Sequence, residues 1–251
     1  MKPNRRIALL TEPLLARNPD LAIIDNCIWV KPVHHFGRCI LIQMDDDHCF
    51  RLEWKIPCLF VPFAHPVQYP DWITHSIERS SIVRWVDYHP MHKSLTRKGE
   101  HAYMNWGQTY WNYADPTVPE DFIYQIEATL RLLRSLDTME KCVAFLHMNF
   151  LRTYQNVRDW TMFAHLGLGH IGPARAHWIS VRQDYLAGLV EHPETPLQRR
   201  TSRFCELDEP LVTRDRRGLA TLLHQWEFEN ITTLKLETVW EQSSFPLQDG
   251  L

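Results

Sequence analysis

The side chains of this sequence that are able to do chemistry fall into a few sets. Asp45, Asp46, Asp47 and His48 form an acidic turn, and Glu53-Trp54-Lys55 follows it. Carboxylates are the hard oxygen ligands that Mg²⁺ takes. A lysine two positions beyond a glutamate shares its face of a strand, where it is able to orient a water for attack on a phosphodiester held by the metal. Asp45, Glu53 and Lys55 therefore form the candidate catalytic set of a metal-dependent nuclease or phosphodiesterase with Mg²⁺. A meander would carry Glu53 up to about 20 Å from the acidic turn, at roughly 3.3 Å per residue. Asp20 or Asp25 would then have to supply the second carboxylate. The plainer reading is a polar hairpin turn followed by a solvated strand face.

Arginine and histidine recur at a spacing of seven, in Arg158 and His165 and again in Arg217 and His224. Two helical turns put each pair on one face, where the arginine is suited to a phosphate and the histidine to proton transfer. With 14 His in the chain, such pairs arise by chance. The same holds for the clusters His89, His92, His101 and His165, His170, His177. Zinc needs three or four convergent ligands. The sequence contains neither HExxH nor CxxC, and Gly167, Gly169 and Pro173 interrupt the second cluster, so no metal site is assigned.

The binding candidates are of another kind. Residues 64–117 hold Trp85, Trp106 and Trp111 beside Lys93, Arg97 and Lys98. Arg199, Arg200 and Arg203 lead a second basic stretch that continues with Arg214, Arg216 and Arg217. Aromatic faces stack on bases while cations follow phosphates, and Trp, Tyr and Arg also dominate the energetics of protein interfaces. The expectation is a non-enzymatic binding or regulatory protein without a cofactor. It would engage another protein or a nucleic acid through an aromatic and arginine-bearing surface. The Mg²⁺-dependent reading stands as the alternative.

Composition narrows the classes. The chain has 251 residues, 45% of them apolar and 23% charged, with a formal charge of −3. That is a folding composition whose overall field recruits neither nucleic acid nor a membrane. With only 9 Gly, phosphate-cradling loops are scarce. Gly167-Leu168-Gly169-His170-Ile171-Gly172 follows a helical pattern rather than a strand, and its third glycine is out of place for a dinucleotide loop. Tyr185-Leu186-Ala187-Gly188-Leu189-Val190 resembles the helix motif of LAGLIDADG homing endonucleases. His192-Pro193 stands where that motif needs its glycine-rich continuation, so the stretch reads as an ordinary amphipathic helix. The first apolar run is broken by Glu12 and Pro13, too early for a signal peptide, and no window approaches the ~18 apolar residues of a membrane span. A cytoplasmic protein is expected, with its six cysteines reduced and buried. Its oligomeric state is open.

The elements that must position these residues follow from periodicity. Residues 21–33 and 38–44 are β-like. Cys49–Lys55 alternates, with Phe50, Leu52 and Trp54 on one face and Arg51, Glu53 and Lys55 on the other. Residues 58–63 read as a short edge strand, and a helix is expected near 73–86. Residues 117–194 are helical, opening on the capping box Thr117-Val118-Pro119-Glu120; Asp137 with Glu140 is expected to cap a second helix. Residues 195–213 read as a polar linker, 214–229 as a helix, and 234–240 as a strand returning to the sheet. The expected fold is α+β: an N-terminal antiparallel β-meander packed against a C-terminal helical portion. It forms a single domain over 1–251, with a strand-rich part (1–63), an aromatic-rich connecting part (64–117) and a mainly helical part (118–251).

Overall fold

The computed structural model describes residues 3–44, 49–62, 110–112, 118–149, 157–189 and 195–249. It opens on a helix that the sequence reading does not contain, α1 (Pro3–Arg17). Ile7, Leu10, Thr11 and Leu14 fall at i, i+3, i+4 and i+7, and all four are buried. Pro13 lies inside the helix. Proline costs the helix one backbone hydrogen bond, but the buried stripe outweighs that loss.

The meander is present. Strands β1 (Leu21–Ile24), β2 (Cys27–Val30), β3 (Cys39–Met44) and β4 (Cys49–Lys55) are joined by β5 (Tyr110–Asn112), in the order β1-β2-β3-β4-β5. Every neighbouring pair is antiparallel. The run 21–33 splits into a hairpin because Asp25 takes φ 53 between Ile24 and Cys27. Ile28, Ile40, Ile42, Phe50, Leu52 and Trp54 line one buried face. Phe122 of α2 (Val118–Ser135) meets Phe50 there, ring to ring at 6.1 Å. The opposite face corrects the sequence reading. Glu53 and Lys55 are only 8% and 5% exposed, so β4 is covered on both sides rather than on one.

The described chain groups into two compact units. The sheet, α1 and α2 make up the first. Arg134 near the end of α2 holds Asp20 with two hydrogen bonds of 2.7 and 2.8 Å and Asn18 with a third of 2.8 Å. The helix expected to begin the C-terminal portion is thus part of the sheet's unit.

The second unit contains α3 (Met139–Asn149), α4 (Val157–Gly167), α5 (Ile171–Ala187), α6 (Pro196–Cys205), α7 (Asp208–Thr213), α8 (Arg216–Thr233) and a 3-10 turn (Pro246–Gln248). It also takes in residues 34–36 and 57–62. Helix α3 is capped by Thr138 rather than Asp137, its Oγ1 accepting from Lys141 N at 3.3 Å. The expected linker 195–213 is two helices. Thr195 Oγ1 accepts from Gln198 N at 3.2 Å while Gln198 Oε1 accepts from Thr195 N at 2.9 Å, with Pro196 at the first helical position. That capping box was written in the sequence as Thr195-Pro196-Leu197-Gln198.

Two expected strands do not form. Cys58 makes one isolated bridge, to Phe36. Residues 234–240 turn after α8, with Lys235 at φ 57, instead of extending. Leu236 and Val239 are buried among turns, so alternation there reflects turn geometry rather than a strand. The helix expected near 73–86 lies outside the described residues. Trp178, Trp226, Phe60, Phe163, Phe204 and Phe245 are fully buried in the second unit. Cys27, Cys39, Cys58 and Cys142 are buried.

Candidate functional site

Helix α8 lays Leu223, Glu227, Asn230 and Ile231 along one buried face. Two of these are polar and the chain satisfies both. Asn230 Nδ2 donates to the carbonyls of Leu59 and Val61 at 2.6 and 2.8 Å. Leu59 N in turn donates to His35 O at 2.9 Å. The asparagine thus holds the Leu59–Val61 stretch, to which the His35 backbone is bonded.

Glu227, fully buried, is the centre of the arrangement. His35 Nδ1 lies 3.2 and 3.1 Å from its two carboxylate oxygens, and Trp240 Nε1 donates to Oε1 at 3.3 Å. His224 Nδ1 stands 3.5 Å from Oε2, an electrostatic contact outside hydrogen-bond geometry. Its Nε2 meets Gln248 Oε1 at 3.2 Å, an oxygen that also accepts from Phe245 N at 2.9 Å. The other nitrogen of His35, Nε2, faces Ser243 Oγ at 3.1 Å and Ser244 O at 3.3 Å. Phe245 stacks on the His35 ring at 3.8 Å and 19° and Phe60 meets it edge-on, so the imidazole plane is held.

The protons follow from the partners. A carboxylate only accepts, so His35 Nδ1 carries the proton that points at Glu227. Burial raises the cost of the Glu227 charge. The two histidines and the Trp240 N–H outweigh it, and the carboxyl lies below its ordinary range. Glu227 also lifts His224 above the usual imidazole value; burial opposes this and Gln248 adds to it. Both His224 nitrogens face acceptors, which favours its cationic form. The cluster therefore favours the charged forms of Glu227 and His224 over their neutral ones, and His35 Nε2 faces the Ser244 carbonyl, which only accepts, as well as the Ser243 hydroxyl.

None of His35, Glu227 and Ser243 is a candidate in the sequence reading. They lie 192 and 208 positions apart in pairs, and no local spacing signals such a meeting. His224 did enter, paired with Arg217, but its partners are Glu227 and Gln248, and Arg217 points to solvent.

The other candidates are placed as follows. Glu53 and Lys55 do share a face of β4 and pair at 3.2 Å, yet inside the fold. Asp45 lies outside the described residues. Asp20 precedes β1 and Asp25 follows it, three strands from β4. At about 4.8 Å per strand that is ~14 Å, too far to share an ion with Glu53. Among the described residues no group of three or more His, Cys, Asp or Glu is arranged to hold a metal. His165 and His170 approach ring to ring at 5.8 Å; His89, His92 and His101 are outside the described residues.

Of the binding set, Trp85, Lys93, Arg97, Lys98 and Trp106 also lie outside the described residues, and Trp111 is in β5. Arg199, Arg200 and Arg203 are all on α6. Arg203 is bound to Glu229 at 2.6 Å and Glu206 at 3.3 Å, its guanidinium 5.7 Å from the Trp226 ring centroid. Arg200 lies over Phe204 at 5.1 Å, and Arg199 is exposed. Leu189 is 47% exposed, and a Cβ on the preceding Gly188 would lie 3.6 Å from Thr201 of α6.

No family model matches the chain, and no curated protein or solved structure matches it. Among the described residues no helix is long and apolar enough to cross a membrane.

Proposed function

We propose that the chain is a binding or regulatory protein that holds a protein partner on the arginine-bearing surface of α6. The supporting observation is the ordering of that surface. Arg203 is fixed by two carboxylates over the Trp226 ring, and Arg200 over Phe204. A side chain already ordered loses less entropy on binding, and arginine is among the residues enriched in interface hot spots. Glu206 and Glu229 neutralise much of the charge that a phosphate backbone would use. That favours a protein with an acidic segment over a nucleic acid.

The test is quantitative recovery of partners from the native host by the tagged chain, against an Arg199→Glu variant of equal stability. The expected result is a partner reduced at least ~10-fold by the variant, with recovery unaffected by nuclease treatment. Equal recovery by both proteins overturns the proposal. So does recovery that vanishes with nuclease and falls steeply with salt, which is the signature of phosphate contacts.

A further inference from the structure

The segment after α8 is tied to its unit largely through imidazoles. His34 Nδ1 meets Glu241 O at 2.8 Å, His35 Nε2 meets Ser244 O at 3.3 Å and Ser243 Oγ at 3.1 Å, and His224 Nε2 meets Gln248 Oε1 at 3.2 Å. Arg216 holds the carbonyls of Leu247, Pro246 and Asp249 at 2.9, 3.1 and 3.4 Å. The buried Phe245 ring lies 3.8 Å from the His35 ring and 4.7 Å from that of His224. A neutral imidazole has one N–H to give. Yet His35 and His224 each face acceptors on both sides: Glu227 at Nδ1, and Ser244 O or Gln248 Oε1 at Nε2. Neither outer acceptor turns into a donor. Ser244 offers a backbone carbonyl, and Phe245 N, donating at 2.9 Å, fixes the oxygen of the Gln248 amide in place. Each ring therefore serves both of its partners only as an imidazolium, and a ring that loses a proton turns a lone pair towards one of them. Glu227 is fully buried, whereas Ser244 is exposed and Gln248 half-buried. Stranding a buried charge costs more than returning such an oxygen to water, so the outer contact is the one that yields.

We propose that residues 243–249 form a pH-sensitive strap, seated while His35 and His224 are imidazolium and loosened as they are neutralised. This goes beyond the partner-binding reading and does not depend on it. The surrounding groups set the direction. Glu227 lifts His224 above its ordinary 6.5, with Gln248 adding to this and burial opposing it. The seating that His224 supplies is therefore complete below 6.5 and is lost as pH rises through the raised value. The Ser243 hydroxyl serves His35 in either state, accepting from the imidazolium and donating to the neutral ring. His34 Nδ1 has one acceptor, which a neutral ring satisfies. Burial pushes the Cys58 thiol up and keeps it uncharged in the field of Glu227. Glu241 and Asp249 are exposed at the ends of the segment. Arg216 stays charged throughout, so the strap loosens without leaving its unit.

The test is hydrogen–deuterium exchange of the full chain at about pH 5.5 and about pH 8.5, on either side of the histidine range, with rates corrected for the intrinsic effect of pH. The amides of Phe245, Gln248 and Asp249, each bonded within the strap, report its seating. Their opening should rise at least ~3-fold at the higher pH, while α6, which contains no histidine, stays unchanged as the internal reference. His224→Gln should open the strap at the lower pH and shrink the step. Gln248→Glu, at a half-buried position that keeps the fold even where His224→Gln does not, gives His224 a charged partner. It should move the step up by at least ~1 pH unit. Equal opening at both pH values, an equal rise in α6, or a step that Gln248→Glu leaves in place overturns the proposal. None of these results bears on partner recovery through α6.

Discussion

Replacing Glu227 by Gln keeps the shape of the side chain and removes its charge. The carboxylate is fully buried and is contacted by His35, His224 and Trp240. A hydrogen bond to a charged group contributes about 1.5–3 kcal/mol. His35 makes one well-formed interaction of that kind and His224 a longer electrostatic one. A loss of about 3 kcal/mol follows, at the lower end of what breaking a buried charged cluster costs. The pH dependence gives a sharper signature. The Glu227 carboxyl is held below its ordinary 4.5, so its stabilisation is complete above that value and is lost as pH falls through the lowered one. His224 is held above its ordinary 6.5, so its share is complete below that value and is lost as pH rises through the raised one. The difference between wild type and Glu227→Gln should therefore form a plateau between 4.5 and 6.5 and shrink on both sides. Urea unfolding at a series of pH values measures it. A loss below about 1 kcal/mol with a flat difference across pH would refute the charge assignment for the cluster.

Other outcomes follow from single residues. Asn230→Ala should cost about 2–3 kcal/mol, because the carbonyls of Leu59 and Val61 lose a buried donor; amide exchange at Leu59 should rise with it. Lys55→Met alone should destabilise more than Glu53→Leu with Lys55→Met, since the single change leaves a buried carboxylate without its cation; thermal unfolding of the two variants decides it. Gly169→Ala should lower stability by at least about 1 kcal/mol, because Gly169 has φ 75 and its Cβ would lie 3.2 Å from Pro246. Thr195→Ala should cost about 1 kcal/mol through the lost cap of α6, readable by urea unfolding.

Periodicity alone determined much of the sheet and the long helices. Cys49–Lys55 alternates in the sequence and is β4 to the residue, and Phe122, Ile126, Leu130 and Leu133 are the buried stripe of α2. These patterns are local, and a local pattern is what a sequence carries. Where the reading failed, a punctuation residue was given too much weight, as Pro13 was in α1, or too little, as the Thr195 and Gln198 box was in α6. Tertiary structure decided the rest. Burial of Glu53 and Lys55 depends on what covers the second face of β4, and no period-2 pattern states it. The meeting of His35, Glu227 and Ser243 joins residues about two hundred positions apart. Only the packing of α8 against the segment clamped by Asn230, and of the turn after α8 against both, brings one carboxylate, one imidazole and one hydroxyl within hydrogen-bond distance. The sequence supplied three common side chains, and the fold brought them together.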